Sequence, residues 1–419
     1  MTQPLVTPGQ AIPHQWRHPL GMKGKSVWPR GGKTKGNLDP ATFKSRFALQ
    51  RVAAGLLAGE RRETKNGKVR DRWPVCGCHR NAVGQVVSIY RQVDGQGARY
   101  AGTITCGSVW TCPVCAARIA EVRRLELQLG IRRWSEQGGR VYLMTLTAPH
   151  TRELPLAEFL IMWRKALNRF KGCATYKRIS ARYARAGSVR SLEVTWGANG
   201  WHPHTHDLIF AAPGLLDDRA ALDELRHEWA RICLKVGLGD PSKHGDMLAH
   251  GFDLQGGDYA AEYVAKFGRQ PTLDGWGVSD ELTRSHSKTG TRAGHLTPFA
   301  LLLAYHKGDA GAGDLFREYA RNFEGQRMLY WSKLLKVQLG LVDATDEELA
   351  RAPLPMEEGV CQLDGDQWRL VLSREARGEL LFWAAQYGKQ GVDRFLEELS
   401  ARPKTHRSTF DSGSWRPWR

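Results

Sequence analysis

Three histidines and a glutamate fall where the two strands of one hairpin would bring them together. In RSLEVTWGANGWHPHTHDLIF, residues 190–210, Leu192, Val194 and Trp196 alternate with Ser191, Glu193 and Thr195; a GANG turn follows, and then a second run. With Trp196 facing Trp201, Glu193 lies opposite His204, Thr195 opposite His202, and Ser191 opposite His206. Side chains two apart on a strand share a face, so His202, His204, His206 and Glu193 crowd one side of the hairpin. Imidazoles and a carboxylate gathered this way suit a divalent metal. A single histidine on a strand is ordinarily a satisfied polar residue, but three at i, i+2 and i+4 gain nothing from being stacked without an ion. The register is decisive, because a one-residue slip would turn Glu193 to the other face.

A second ligand set lies upstream. Cys76 and Cys78 in CGCHR, and Cys106, Cys112 and Cys115 in CGSVWTCPVC, form two knuckles about thirty residues apart, with the strand-like GQVVSIYRQV and ARYAGTITC between them. Structural zinc takes four thiolate or imidazole ligands in a tetrahedron, commonly from two such knuckles. Cys106, Cys112 and Cys115 are the expected core of the site, with Cys76 or Cys78 as the fourth ligand; His79 makes the set larger than needed. Cys173, Cys233 and Cys361 are isolated and read as buried thiols.

The third feature is GGDYAAEYVAKFG, residues 256–268. Asp258 suits a helix N-cap and Gly268 a C-terminal stop. Tyr259, Tyr263 and Lys266 then fall at i, i+4 and i+7 on one face. A tyrosine stripe on a helix is usually packing, and it gains chemical meaning only beside the metal hairpin.

The elements that must position these groups read plainly. Helices are expected at Thr42–Leu57, Ala117–Glu136 (basic through Arg118, Arg123, Arg124, Arg132 and Arg133), Pro155–Lys171 and Asp217–Val236, with a central strand at Arg140–His150. Further helices are expected at Pro298–Lys307, Asp314–Glu324 and Gln326–Leu339, the last interleaving Arg327, Tyr330, Trp331, Lys333 and Lys336. A terminal unit contains QWRLVLS, read as a strand, and two helices.

At 419 residues the chain should form two or three domains. Its formal net charge of +18 points to a polyanionic partner, nucleic acid by default. The N-terminal stretch carries no apolar signal core and no run is long enough to span a bilayer, so a cytoplasmic protein with no membrane partner is expected. Eight cysteines in that setting are thiols or metal ligands rather than disulfides. GGKT at Gly31–Thr34 is not a phosphate-binding loop, because position 27 is valine where GxxxxGK[ST] needs glycine. No ATPase or helicase of its own is inferred.

The succession of a TLT strand, a hairpin with HPHTH and a helix with YVAK resembles the HUH endonuclease superfamily, closely the rolling-circle replication initiators of small bacterial plasmids. CGSVWTCPVCAARI resembles the cysteine-rich segment that many of them carry before the nuclease. The resemblance covers residues 76 to 340. It implies an α+β fold: a five-stranded antiparallel HUH-nuclease sheet flanked by helices, the histidines on a central strand, with an N-terminal zinc ribbon and a helical C-terminal region. The organisation expected is a basic flexible arm at 1–70, a zinc-ribbon-like DNA-binding segment and helix at 71–136, the nuclease core at 137–270, a helical region at 271–345, and a C-terminal helical unit with basic tail at 346–419.

By the same resemblance His204 and His206 match the paired metal-binding histidines, and Tyr263 and Lys266 match the nucleophile and the lysine that follows it. Plasmid initiators of this type often carry a glutamate four residues before the nucleophile. Here that residue is Tyr259, as in two-tyrosine phage initiators and some transposases. The implied activity is a metal-dependent site-specific DNA nickase and strand transferase using Mg²⁺ or Mn²⁺, with Zn²⁺ in the ribbon. It would act on single-stranded or extruded origin DNA and on duplex DNA, with a host helicase and DNA polymerase. A two-tyrosine transposase is the alternative within the superfamily; a non-enzymatic zinc-ribbon nucleic-acid-binding protein is the alternative outside it.

Overall fold

The hairpin predicted from its alternation is the centre of the molecule. In a computed structural model, which describes residues 40–63, 66–95, 97–257, 295–353 and 356–402, the described elements run in chain order as follows. They begin with α1 (Pro40–Leu57), β1 (Arg61–Glu63), β2 (Val69–Asp71), β3 (Val87–Gln92), β4 (Ala98–Ala101), α2 (Pro113–Glu136) and β5 (Arg140–Leu146). Next come α3 (Leu156–Gly172), α4 (Ala174–Arg182), β6 (Gly187–Gly197), β7 (Gly200–Ala211), α5 (Arg219–Val236), α6 (His244–His250) and β8 (Phe252–Gln255). After residues 258–294 follow α7 (Pro298–His306), α8 (Ala310–Phe323), β9 (Leu329–Trp331), α9 (Leu335–Gln338), α10 (Asp346–Arg351), β10 (Glu357–Leu363), α11 (Gly365–Ser373) and α12 (Arg377–Ala401). Tyr259, Tyr263 and Lys266 lie outside the described residues.

The main sheet is five-stranded and antiparallel in the order β8-β5-β7-β6-β9, so the histidine strand β7 is its middle member. Alternation gives its two faces different fates. Tyr142, Met144, Leu146 and Ile209 point to one side, where Phe159 and Phe170 of α3 and Trp229 of α5 complete a buried core. On the other side Val141, Leu143, Val189, Leu208 and Phe210 pack under Leu127, Leu129 and Trp134 of α2. Continuing along that second face toward the hairpin turn, the apolar rows give way to the histidines.

The turn is tight. Gly197 pairs with Gly200, leaving Ala198 and Asn199 at the tip. Gly200 has φ +89°, and a Cβ there would meet the Arg152 Cα at 2.8 Å; a Cβ on Gly197 would meet the His295 ring at 2.8 Å. Glycine at these two positions lets two other segments close on the rim of the histidine row.

The C-terminal residues do not stand apart. β10 pairs antiparallel with β3, making a second sheet in the order β10-β3-β4, and α11 and α12 bury Val87, Ile89 and Tyr100 against Trp368, Leu380 and Phe395. Two expectations are corrected. QWRLVLS lies in α11 rather than a strand: Asp364 caps it, accepting from the Gln367 amide at 2.8 Å while the Gln367 side chain returns the bond. Gln326–Leu339 is not one helix, because Leu329–Trp331 pairs with the edge of β6 and only Leu335–Gln338 is helical. The edge of β6 beside two β-prone aromatics, Tyr330 and Trp331, outweighs the helical spacing.

The arginines of α2 are engaged internally. Arg123 is buried, bonded to Asp346 at 2.7 Å and Glu126 at 2.9 Å. Arg133 donates to the Leu339 and Gly340 carbonyls at 2.6 and 2.8 Å. No helix among the described residues is long and apolar enough to cross a membrane.

Candidate functional site

The hairpin register is the one its sequence implies: Glu193 opposite His204, Thr195 opposite His202, Ser191 opposite His206, and Trp196 opposite Trp201. Glu193, His204 and His206 offer ligand atoms that all lie within 4.8 Å of one another. The Glu193 Oε2 is 3.5 Å from the His204 Nε2 and 3.8 Å from the His206 Nε2.

Neighbouring groups aim both imidazoles. The His206 Nδ1 meets the Thr145 hydroxyl at 2.9 Å, across from it on β5. The His204 Nδ1 faces the His202 carbonyl oxygen at 3.4 Å, and a carbonyl can only accept, so this nitrogen carries the proton. Each ring therefore turns its Nε2 toward Glu193, the orientation a metal requires, with its other nitrogen held by an outer partner. Burial pushes the His206 imidazole below its ordinary pKa, against the opposing pull of the Glu193 carboxylate. A neutral imidazole is the form that binds a cation. These two carboxylate-facing imidazoles fit a divalent ion as a donor set.

His202 is placed differently. It shares the face, but its Nδ1 lies 3.2 Å from the His150 Nδ1, and its ring is 6.1 Å from that of His295. It stands at the rim, outside the three-residue group. Sequence reading did not anticipate Thr145, His150 or His295. Their roles depend on pairing between strands distant in sequence; the TLT motif was the only available hint of Thr145.

The four sulfurs of Cys78, Cys106, Cys112 and Cys115 form the second group. Cys78 and Cys106 each lie 3.5 Å from Cys115, and Cys112 lies 3.8 Å from Cys78. Tetrahedral zinc with bonds of about 2.3 Å separates its sulfurs by about 3.8 Å, so the set fits that ion. Amides of Cys106, Ser108 and Cys115 point at these sulfurs from 3.4–3.5 Å. Burial alone would raise the Cys112 thiol, but hydrogen bonds from Cys106, Cys115 and Cys78 carry it well below its ordinary value.

Cys76, one of the two candidates for the fourth position, is not in the group; its thiol donates to the Ala54 carbonyl at 3.5 Å. His79 is also outside, its Nδ1 on the Thr103 hydroxyl at 2.9 Å.

Known proteins match the region that holds most of this chemistry. A family described as replication protein matches residues 98–234. The "Protein rep" of Streptomyces lividans is 29% identical over 309 residues, 59% of this chain and 66% of that protein. A "Neomycin resistance protein" of Streptomyces cyanogenus is 29% identical over 137 residues, 26% of this chain and 30% of that protein. The chain thus spans just under two thirds of the first relative's length and less than a third of the second's. No solved structure matches. The matched stretch contains Cys106, Cys112, Cys115, Thr145 and the entire histidine hairpin, and over it the chain is similar to replication proteins.

Proposed function

We propose that the protein initiates plasmid DNA replication by nicking one strand at an origin. The observation that carries this reading is the Glu193–His204–His206 group: two imidazoles held in the metal-binding orientation against one carboxylate, on the middle strand of an antiparallel sheet. A divalent ion held there, Mg²⁺ or Mn²⁺, would polarise the scissile phosphate and offset the charge that builds on its oxygens.

Tyr263 is the proposed nucleophile. Its hydroxyl, with an ordinary pKa of about 10, is weak at neutral pH and needs help. Lys266, three residues further on in the sequence, would lower that pKa or hold the phosphate. The phenolate oxygen attacks phosphorus, the bond from phosphorus to the 3′ oxygen of the preceding nucleotide breaks, and that oxygen leaves as a free 3′-hydroxyl. The products are a 5′-phosphotyrosine and a primer end. Phosphodiester energy is kept in the adduct, so rejoining needs no ATP, in keeping with the lack of a Walker loop in the sequence.

The chain's +18 charge supports salt-dependent affinity for DNA. A DNA polymerase would extend the 3′ end and a separate helicase would part the strands, and the proposed setting for this work is the cytoplasm. Zn²⁺ in the Cys78–Cys106–Cys112–Cys115 group would hold the ribbon.

The test is covalent. With Mg²⁺, the purified protein should nick a supercoiled plasmid carrying its origin and remain attached to the 5′ end, and Tyr263→Phe should abolish the adduct. An adduct that survives Tyr263→Phe but not Tyr259→Phe would reverse the assignment. A requirement for both hydroxyls would favour the two-tyrosine transposase scheme. An adduct indifferent to both changes would remove both tyrosines from the chemistry, and no nicking at all would favour a zinc-ribbon binding protein.

A further inference from the structure

The turn that follows β9 presents apolar side chains to solvent on a rigid base. Leu335 and Leu339 are buried at 0% and 2% exposure beneath α2 and the sheet, and Lys336 is tied to Glu126 at 2.7 Å. From the same four-residue helix stands Val337, 74% exposed, and from its N-cap Leu334, 67% exposed. Leu334 also has φ +68° and ψ −11°, a conformation where glycine is at ease and other residues are strained. Strain and exposure together at a well-anchored position mark a side chain placed for something outside the fold.

Beside these tips opens a cleft of about 900 Å³ between the loop at 106–111 and the segment from Glu324 to Glu347. Trp110 and Trp331 line it. Three of its four acids are taken up by basic neighbours: Glu324 by Arg72 at 2.7 Å, Asp343 by Lys336 at 3.0 Å, and Asp346 by Arg123 at 2.7 Å. Arg327 and Lys333 are at the same cleft, and among the described residues neither forms an ion pair. Indole walls with unneutralised cations suit stacked bases and phosphates.

We propose that Leu334 and Val337 form an apolar wedge that inserts at a junction between duplex and single-stranded DNA, and that the cleft receives bases of the parted strand. For the identity of the ligand this rests on the nickase reading. The placement agrees with it. Leu329 of β9 lies opposite Ser191, which lies opposite His206. The wedge is therefore two strands across and a few residues along from the imidazoles, roughly 15–20 Å. That is the length of roughly five stacked base pairs. A nuclease that cuts single strands and carries no ATP-driven motor gains from an opening device at that range. Side chains of this kind unstack base steps and kink duplexes in other DNA-binding proteins.

The experiment uses the full chain with zinc bound, in buffer without Mg²⁺ so that no cutting occurs. The probe is a duplex with a single-stranded arm and 2-aminopurine at the junction. Wild type should raise the fluorescence. Leu334→Gly should cut the rise at least fivefold and Leu334→Met should retain it. The glycine variant should melt no lower than wild type, because glycine relieves the left-handed backbone, and should bind a plain single-stranded oligonucleotide within twofold of wild type.

The wedge is overturned if wild type leaves the probe unchanged or if Leu334→Gly opens the fork as well as wild type. A Leu334→Gly protein that opens the fork normally but loses self-association would assign the tips to a protein contact instead. Since the readout involves no cleavage, its failure leaves the nickase reading standing, and loss of nicking leaves the wedge standing.

Discussion

At the position of Thr145, one hydroxyl decides which nitrogen of His206 faces Glu193. The 2.9 Å contact to the His206 Nδ1 leaves the Nε2 for a cation. Thr145→Val keeps the shape and removes the partner. Mn²⁺ affinity, measured by titration calorimetry, should fall by about tenfold to a hundredfold, with nicking reduced in step and the melting temperature little changed. Unaltered Mn²⁺ binding would show that Glu193 and the two imidazoles orient themselves unaided. Glu193, His204 and His206 were legible beforehand because a period of two and a glycine-bounded turn leave one sensible register. Thr145 was not, since β5 meets β7 only after some sixty intervening residues have folded, and no local pattern encodes that meeting. Cys78 and Cys76 were equally ambiguous: both lie on one short knuckle, and packing under α1, where Cys76 finds the Ala54 carbonyl, separates them.

Among elements, long helices were legible from their apolar stripes. Pro155–Lys171 and Asp217–Val236 differ from α3 and α5 by a residue or two at the ends. β8 and β9 were not legible, being four and three residues long and stabilised by neighbours rather than by their own pattern. The region after β9 is held by charge as well as by Leu335. Lys336, by hydrogen bonding and then by its charge, holds the Asp343 carboxyl below its ordinary range. The unfolded carboxyl titrates near 3.9, so between the two values the unfolded chain binds more protons. This support is therefore complete above about pH 5 and fades as the pH falls through the lower, folded value. The effect is small because the Asp343 side chain is 85% exposed. The melting-temperature gap between wild type and Asp343→Asn should be open at about pH 6 and narrow steadily below about pH 4; a gap of constant size across that range would rule out the carboxylate charge as its source.

Across the whole molecule, one core joins the cysteine group to the histidine hairpin. Cys78, Cys112 and Cys115 are buried in the same cluster as Leu49 and Leu56 of α1, Phe316 and Phe323 of α8, and Val194 and Trp201 of the hairpin's other face. The Trp201 indole also donates to Glu318 of α8 at 2.9 Å. An ion among the four sulfurs would therefore brace the back of the strand whose front carries His204 and His206. Structural zinc binding is worth about 10–16 kcal/mol in small zinc-finger peptides, as much as the whole stability of a typical domain. Removing it from this chain should do more than loosen the ribbon. Stripping zinc with a strong chelator, or Cys106→Ser, should lower the melting temperature by many degrees and abolish Mn²⁺ binding at the distant imidazoles. Cys76→Ser should leave zinc content, read by atomic emission, at the wild-type level. If zinc-free protein still bound Mn²⁺ with wild-type affinity, the two centres would be mechanically independent, and the shared core would be packing without coupling.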